Sequence, residues 1–369
     1  MELIQLRRQE LKEYVDSPHY LAEEFVPISK HRARSQICNP RAQDNDVLLF
    51  LCKESIQRCG YLGVLPVDIF YNQDGEKASM HFGWLSCIWV HPQWQGRGIA
   101  RKLLEEAIHS WGGKLLGTEF IPGLDRFYRS SGIFNYDFSL EGVRIYFGST
   151  LSDWVPRKLP LFRKITPLLK IADHLLNGLW DSLRQKAERT RYQVDLVNEL
   201  NEEHRRFLEK DIGESLFQRS VPEFNWILQH PWVLEKSFPE ACEPRYHFTS
   251  CAEKFSINAC VMHDVQHEMK AIAILLRRDG CLSIPYLFVK DEEAAEELNR
   301  FINAYVFANN IRVLKLFQKR NRKLFQGKMM GSVFTRRTSR GFICSDVLSK
   351  IMSGQEEQIC DGDGDCAFT

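Results

Sequence analysis

Residues 84–107 read WLSCIWVHPQWQGRGIARKLLEEA, and this stretch constrains the fold more than any other in the chain. Its first seven residues are rich in β-branched and aromatic side chains and predict a strand. Ile99, Leu103, Leu104 and Ala107 then recur at helical spacing and predict a helix. Between them, His91-Pro92-Gln93-Trp94-Gln95-Gly96-Arg97-Gly98 carries two glycines, which reach backbone conformations closed to other residues and let a ligand approach the main chain. A turn of this kind presents the unbonded N–H groups of a helix start together with the positive end of its dipole, the environment a phosphate or pyrophosphate needs. The glycine spacing is not that of a dinucleotide fingerprint, and no acid is placed to hold a ribose.

Composition narrows the alternatives. The 369 residues suggest two domains of ordinary size, and a formal charge of +1 argues against bulk electrostatic binding to nucleic acid. The charged start MELIQLRRQELKEYVDS has no signal-type apolar run, and no stretch has the apolar length of a membrane span; both point to a soluble, cytoplasmic protein. Eleven scattered cysteines without a CxxC pair predict reduced, mostly buried thiols and no metal site. The last twenty residues, with Asp361-Gly362-Asp363-Gly364-Asp365, read as a solvated, flexible acidic tail, because the glutamate that a calcium loop requires is missing.

Gln95-Gly96-Arg97-Gly98-Ile99-Ala100, preceded by Val90-His91-Pro92 on a hydrophobic strand, resembles the acetyl-CoA signature of the GCN5-related N-acetyltransferase (GNAT) superfamily, Q/R-x-x-G-x-G/A. The resemblance implies that Gln95, Gly96, Arg97, Gly98, Ile99 and Ala100 bind the pyrophosphate of acetyl-CoA. It also implies that the strand splays from its neighbour and that main-chain groups of Ile88 and Val90 hold the pantetheine arm. Phe127-Tyr128-Arg129-Ser130-Ser131-Gly132-Ile133-Phe134 is similar to the family's FYxxxGF element, which makes Tyr128 the general acid that protonates the departing thiolate. An asparagine common in the family seven residues earlier is here Ile121. For the general base, Glu119, His81 and His91 are candidates by location, Glu119 on the fifth strand being the one carried forward. A Cys87 acyl intermediate lacks an activating partner in the sequence, so direct attack in a ternary complex is the implied route.

The remaining chain is organised around this unit. Strands are predicted over residues 46–52, 57–69, from about 80, and 115–121, with residues 138–148 closing the domain as a hairpin around Glu141-Gly142. The basic run Lys30, His31, Arg32, Arg34 and Arg41 reads as a solvated face, with a carboxylate or phosphate grip on the acceptor as the alternative. Residues 151–191 form a basic amphipathic helical connector. Its Leu168, Leu169, Ala172, Leu175, Leu176, Leu179, Trp180 and Leu183 stripe is expected to pack between domains, an anionic membrane surface being the alternative. Residues 192–349 repeat the order of elements, but Lys290-Asp291-Glu292-Glu293 stands in place of the glycine turn, so this half is read as degenerate. The basic zone around Lys315, Arg322, Arg336 and Arg340 reads as solvated.

These readings give an α+β protein of two GNAT-like domains, each a mostly antiparallel mixed sheet flanked by helices: 1–150 active, 151–191 connector, 192–349 degenerate, 350–369 tail. The implied reaction transfers an acetyl group, or a related acyl group, from its CoA thioester to a small-molecule or peptide amine. Two rivals are a Fem-like transferase that takes its acyl group from aminoacyl-tRNA and a non-catalytic acyl-CoA-binding protein.

Overall fold

The computed structural model describes residues 1–54, 57–118, 123–149, 151–183, 190–212, 215–325, 327 and 329–368. The first half runs β1 (Glu2–Arg7), α1 (Arg8–Asp16), α2 (Pro18–Ala22), α3 (Lys30–Ile37), β2 (Val47–Glu54), β3 (Gln57–Gln73) and β4 (Glu76–Val90). It continues with α4 (Ile99–Ser110), β5 (Leu115–Thr118), α5 (Leu124–Arg129) and β6 (Tyr136–Tyr146). Helices α6 (Leu151–Lys158) and α7 (Thr166–Leu183) connect the halves. The second half carries β7 (Gln193–Val197), α8 (Glu202–Ile212), α9 (Val221–Gln229), β8 (Leu234–Glu235), β9 (Cys251–Ala252), β10 (Phe255–His263), β11 (Met269–Arg278) and β12 (Cys281–Val289). It ends with α10 (Glu292–Ala308), β13 (Val313–Leu316), α11 (Lys319–Phe325), β14 (Phe334–Cys344) and α12 (Asp346–Met352).

Twelve of the described strands form one sheet in the order β1-β2-β3-β4-β5-β14-β6-β13-β12-β11-β10-β7. The order is palindromic. Each half lays down an antiparallel meander that ends in a parallel pair: Gly83–Leu85 on Leu115–Gly117 in the first, Cys281–Ser283 on Val313–Lys315 in the second. A two-residue turn at Asp74-Gly75, with φ of 53° and 90°, joins β3 to β4; positive φ at both positions matches the right-handed twist of the strands.

The sheet corrects the expected closure at residues 138–148. No turn forms at Glu141-Gly142: β6 is one straight strand, paired along its whole length with β14 and over Val143–Tyr146 with β13. Strand β14 in turn pairs with β5. Each half is thus completed by a strand from the other, and the boundary drawn at residue 150 does not divide the hydrogen bonding. In the second half β9 covers only Cys251–Ala252, while Tyr246 forms an isolated bridge to Val26 of the first half.

The largest core cluster crosses between the halves, joining Leu65, Phe82 and Trp84 to Phe217, Phe224, Trp232, Tyr286 and Phe342. The C-terminal segment belongs to this core, which corrects the expectation of a solvated acidic tail. Phe368 stacks on Trp232 at 4.8 Å between ring centroids. Asp361 accepts hydrogen bonds from the Phe317 and Gln318 N–H groups, while Asp363 accepts from the Tyr286 hydroxyl at 3.1 Å and the Cys360 N–H at 2.7 Å, with Arg219 beside it. Burial pushes both carboxyls up to about 6, partly offset for Asp361 by main-chain donors and for Asp363 by Arg219. Carboxylates satisfied in this way need no solvent.

Two further expectations change. Cys242 and Cys251 form a disulfide across a Cα–Cα distance of 5.1 Å, where reduced thiols were expected throughout. The basic stretch 30–41 is not a solvated face. Arg41 bridges the main-chain oxygens of Asp68 and Phe217 and the Glu223 carboxylate, while His31 donates from Nε2 to the Trp232 carbonyl. The Arg41 cation and the His31 ring, whose burial lowers its pKa, tie the first half to the second.

His81, a candidate base by position, lies far down β4 from the glycine turn and is held between Asp68 (2.6 Å) and Asp46 (3.0 Å). Burial lowers its basicity, but hydrogen bonds and charge from the two carboxylates raise its pKa from 6.5 to about 9, so it is a structural imidazolium and not a base. Because the folded pKa is raised, this stabilisation is complete below the unfolded pKa of 6.5 and is lost as pH rises through about 9. The expected loss is about 2–3 kcal/mol in denaturant titrations across that window, absent in His81→Asn. A wild-type curve that is flat there would refute the assignment.

Candidate active site

The glycine turn is built as the sequence reads. His91-Pro92 ends β4, a single 3-10 turn covers Pro92–Trp94, and Gly96 and Gly98 adopt φ of 77° and 76°. A Cβ placed on either glycine meets nothing within 4 Å, so it is backbone conformation that calls for glycine, and the outer side of the turn is open. Gly98 caps α4, whose first turn holds no acid. Arg97 lies over the Trp94 ring at 4.5 Å, and Arg101 and Lys102 follow on the helix. Ile99 anchors the helix in the core at 2% exposure, and Ala100 is half-buried. The first turn of α4 therefore combines unbonded N–H groups, a helix dipole and three nearby cations.

Beneath the turn, the described pairing of β4 with β5 ends at Leu85 and Gly117. The two strands pair only over Gly83–Leu85 among the described residues, and a bulge at Ser86 shifts the β3–β4 register, setting Gly63 against Cys87 and Val64 against Leu85. Above the bulge the His91 N–H donates to the Cys59 carbonyl on β3, at 2.9 Å. Main-chain groups alternate along a strand, so those of Ile88 and Val90 point away from β3, toward the side on which β5 lies. The Gln95 side chain donates to the Val90 carbonyl at 3.2 Å and ties the strand edge to the turn. His91 accepts from the Gln93 N–H through its ring and packs edge-on to Phe25.

Tyr128 reaches the same region from α5. Arg101 donates to the Ser130 hydroxyl at 3.3 Å, linking the start of α4 to the end of α5. The tyrosine is 5% exposed, between Phe127 and Phe134 and in one cluster with Leu85, Ile99 and Leu103. Burial, reinforced by Cys87 and Asp365, holds its phenol well above the ordinary value. It is protonated at neutral pH and so carries a proton that a leaving group beside it could take. Glu119 lies outside the described residues.

Around the bulge the structure gathers groups that the sequence reading did not connect. Arg32 from α3 donates to the Tyr246 hydroxyl (2.7 Å) and the Ser86 hydroxyl (2.9 Å) and stacks on Trp232 at 3.8 Å. Tyr246 Oη is 3.9 Å from Cys87 Sγ. Burial opposes the charge on Arg32, but Cys87, Tyr246 and Asp365 raise its pKa, so it stays cationic. No periodic pattern in the sequence couples residue 32 to residue 246; only the bridge between the halves does.

The second half lacks the equivalent turn. Asp291 caps α10 by accepting from the Ala294 N–H at 2.8 Å, with Glu292 and Glu293 in the first turn. The Ala294 N–H is occupied and the local charge is negative, which disfavours an anion there.

Residues 45–132 match the family model described as acetyltransferase (GNAT) domain. Among solved structures, the chain is similar to a conserved protein of unknown function from Enterococcus faecalis V583, described as a probable N-acyltransferase. The two are 12% identical, the match covers 94% of this chain and 73% of that one, and the TM-score is 0.51. It is also similar to Saccharomyces cerevisiae N-myristoyltransferase with bound myristoyl-CoA, at 11% identity, 93% and 82% coverage and a TM-score of 0.50. At such identities the likeness is one of fold. No curated protein sequence matches the chain.

Proposed function

We propose that this protein, which has the GNAT acyltransferase fold with its GNAT domain at residues 45–132, transfers an acyl group from an acyl-CoA thioester to an amine. The observation that carries the reading is an open glycine turn at a helix start, directly above a strand whose described pairing with β5 ends at Leu85. In this reading the N–H groups at Gly96–Ala100, with Gln95 and Arg97, hold the pyrophosphate. The free edge of β4 at Ile88 and Val90 pairs with the pantetheine amides as a neighbouring strand would. The amine nitrogen attacks the thioester carbonyl carbon, the carbon–sulfur bond breaks, and the Tyr128 hydroxyl supplies the proton that the leaving sulfur takes. The acceptor nitrogen must shed a proton, and Glu119 is the side chain proposed to take it, directly or through water. The donor is proposed to be acetyl-CoA. A longer acyl-CoA is the variant to compare, since the solved yeast relative in fold carries myristoyl-CoA. The acceptor is a small-molecule or peptide amine.

The test is calorimetric titration with acetyl-CoA and with a long-chain acyl-CoA, on the wild type and on a Gly96→Asp, Gly98→Asp variant. Both substitutions put a carboxylate where the anion would sit and a side chain at positive φ. One-site binding by the wild type and at least about a hundredfold weaker binding by the variant is the expected result. Equal binding by both proteins would place the donor elsewhere. An absence of binding to the wild type would turn attention to aminoacyl-tRNA as donor.

A further inference from the structure

The connector between the halves is inverted. Helix α7 buries Asp173 and Asn177, one turn apart, against the exit of β6. Asp173 accepts hydrogen bonds from the Ser149 hydroxyl and from the Leu151 and Ser152 N–H groups; Asn177 accepts from the Ser149 N–H and donates to its carbonyl. The polar edge of the helix thus faces the protein. Its apolar edge faces out: Leu168, Ile171 and Leu175 are 58–63% exposed, and Leu161, in the 3-10 turn Pro160–Ile165 between α6 and α7, is 90% exposed. Of the seventeen exposed large hydrophobic residues among those described, seven lie between Leu159 and Leu176. Leu168, Leu175 and Leu176 of the expected stripe therefore do not pack between domains, and Leu169 and Ala172 are half-buried; the side chains of Leu179, Trp180 and Leu183, with Arg184, Lys186 and Arg189 of the same connector, lie outside the described residues. An apolar face of this size on a water-soluble surface calls for a partner.

Charge indicates which one. Positions 154–172 contain Arg157, Lys158, Arg163, Lys164 and Lys170 and no acid. Arg163, Lys164 and Lys170 are exposed beside the apolar residues. We propose that this hairpin seats the protein on an anionic membrane surface, with α7 lying in the plane of the headgroups, its leucines among the acyl chains and its cations on lipid phosphates. No described helix is long and apolar enough to cross a membrane, so the contact is peripheral. Leu161 stands clear of its surroundings, a shape that fluid acyl chains accommodate and a flat protein face does not. The inference is independent of the acyl-transfer reading.

The experiment is co-sedimentation of the full chain with vesicles of phosphatidylcholine alone and of phosphatidylcholine mixed with phosphatidylglycerol. Two variants are compared: Leu168→Glu, Ile171→Glu, Leu175→Glu, and Arg163→Glu, Lys164→Glu, Lys170→Glu. All six positions are exposed, so both variants are expected to melt as the wild type does; gel filtration over a range of concentrations follows self-association. The expected result is binding to the mixed vesicles only, lost in the first variant and weakened by at least about a hundredfold in the second, at roughly fivefold or more per cation. Three results would overturn the proposal: no binding by the wild type, equal binding to neutral vesicles, or binding that survives both sets of substitutions. A concentration-dependent dimer that only the first variant dissolves, without vesicle binding, would reassign the face to a second copy of the chain.

Discussion

Tyr128→Phe is expected to lower kcat by about 10²–10⁴-fold while acyl-CoA affinity stays within a few-fold of wild type. The substitution keeps the ring, which packs against Phe127 and Phe134, and removes only the hydroxyl. In the proposed reaction the hydroxyl acts after carbon–sulfur cleavage begins, when negative charge collects on sulfur, so its loss raises the barrier without touching ground-state binding. Burial and the nearby Cys87 and Asp365 keep the phenol protonated across the neutral range, so the wild-type rate is not expected to show a downward limb from this group near neutrality. The measurement is steady-state thiol release with a competent amine, paired with direct titration of acyl-CoA. Unchanged turnover would remove Tyr128 from the chemistry. Lost acyl-CoA binding together with a lowered melting temperature would make it a packing residue.

Gly364→Ala is expected to destabilise the fold by about 2–5 kcal/mol, at its upper end enough to unfold a marginal protein. Gly364 has a φ of 64°, and a Cβ placed there meets the Trp84 indole at 2.2–2.3 Å, inside van der Waals contact. Trp84 is fully buried between Phe217, Phe82 and Phe342, so it has nowhere to retreat. Left-handed backbone strain accounts for about 1–2 kcal/mol and overpacking for about 1–3 kcal/mol. Gly354→Ala is the matched control. Its φ of 81° carries the same strain, but nothing lies within 4 Å of the new Cβ, so the two variants should differ by the overpacking contribution alone. Denaturant titration measures both. Equal effects at the two positions would mean that the C-terminal segment does not pack on Trp84.

The two predictions bear on separate parts of what the sequence reveals. Residues 84–107 could be read in isolation because each step is local: β-branched residues favour the strand, φ near 77° demands glycine at 96 and 98, and apolar spacing of three and four sets the buried face of α4. The acidic start of α10 was legible for the same reason, since Asp291 caps the N–H group of a residue only three positions away. The Ser86 bulge was not legible. It exists as a mismatch between two strands, and a single strand carries no register.

The sequence by itself determined the strand-turn-helix unit and the repeated order of elements, because propensity, glycine conformation and periodicity act over neighbouring residues; Tyr128 entered as a candidate acid only through the family resemblance. Only the tertiary structure decided that β6 and β14 complete one another's halves, a pairing between residues almost two hundred positions apart that hydrogen-bond geometry allows and no local signal specifies. It also decided the fate of the charges. Asp361 and Asp363 read as solvent-seeking in a list of residues, yet become interior groups once main-chain N–H groups, Tyr286 and Arg219 replace water around them. Leu168, Leu175 and Leu176 of α7 read as core, yet lie outside because Asp173 and Asn177 make the stronger demand, capping the backbone beyond the end of β6. Burial follows from which partners the whole fold brings within hydrogen-bonding distance, and hydropathy along the chain does not contain that information.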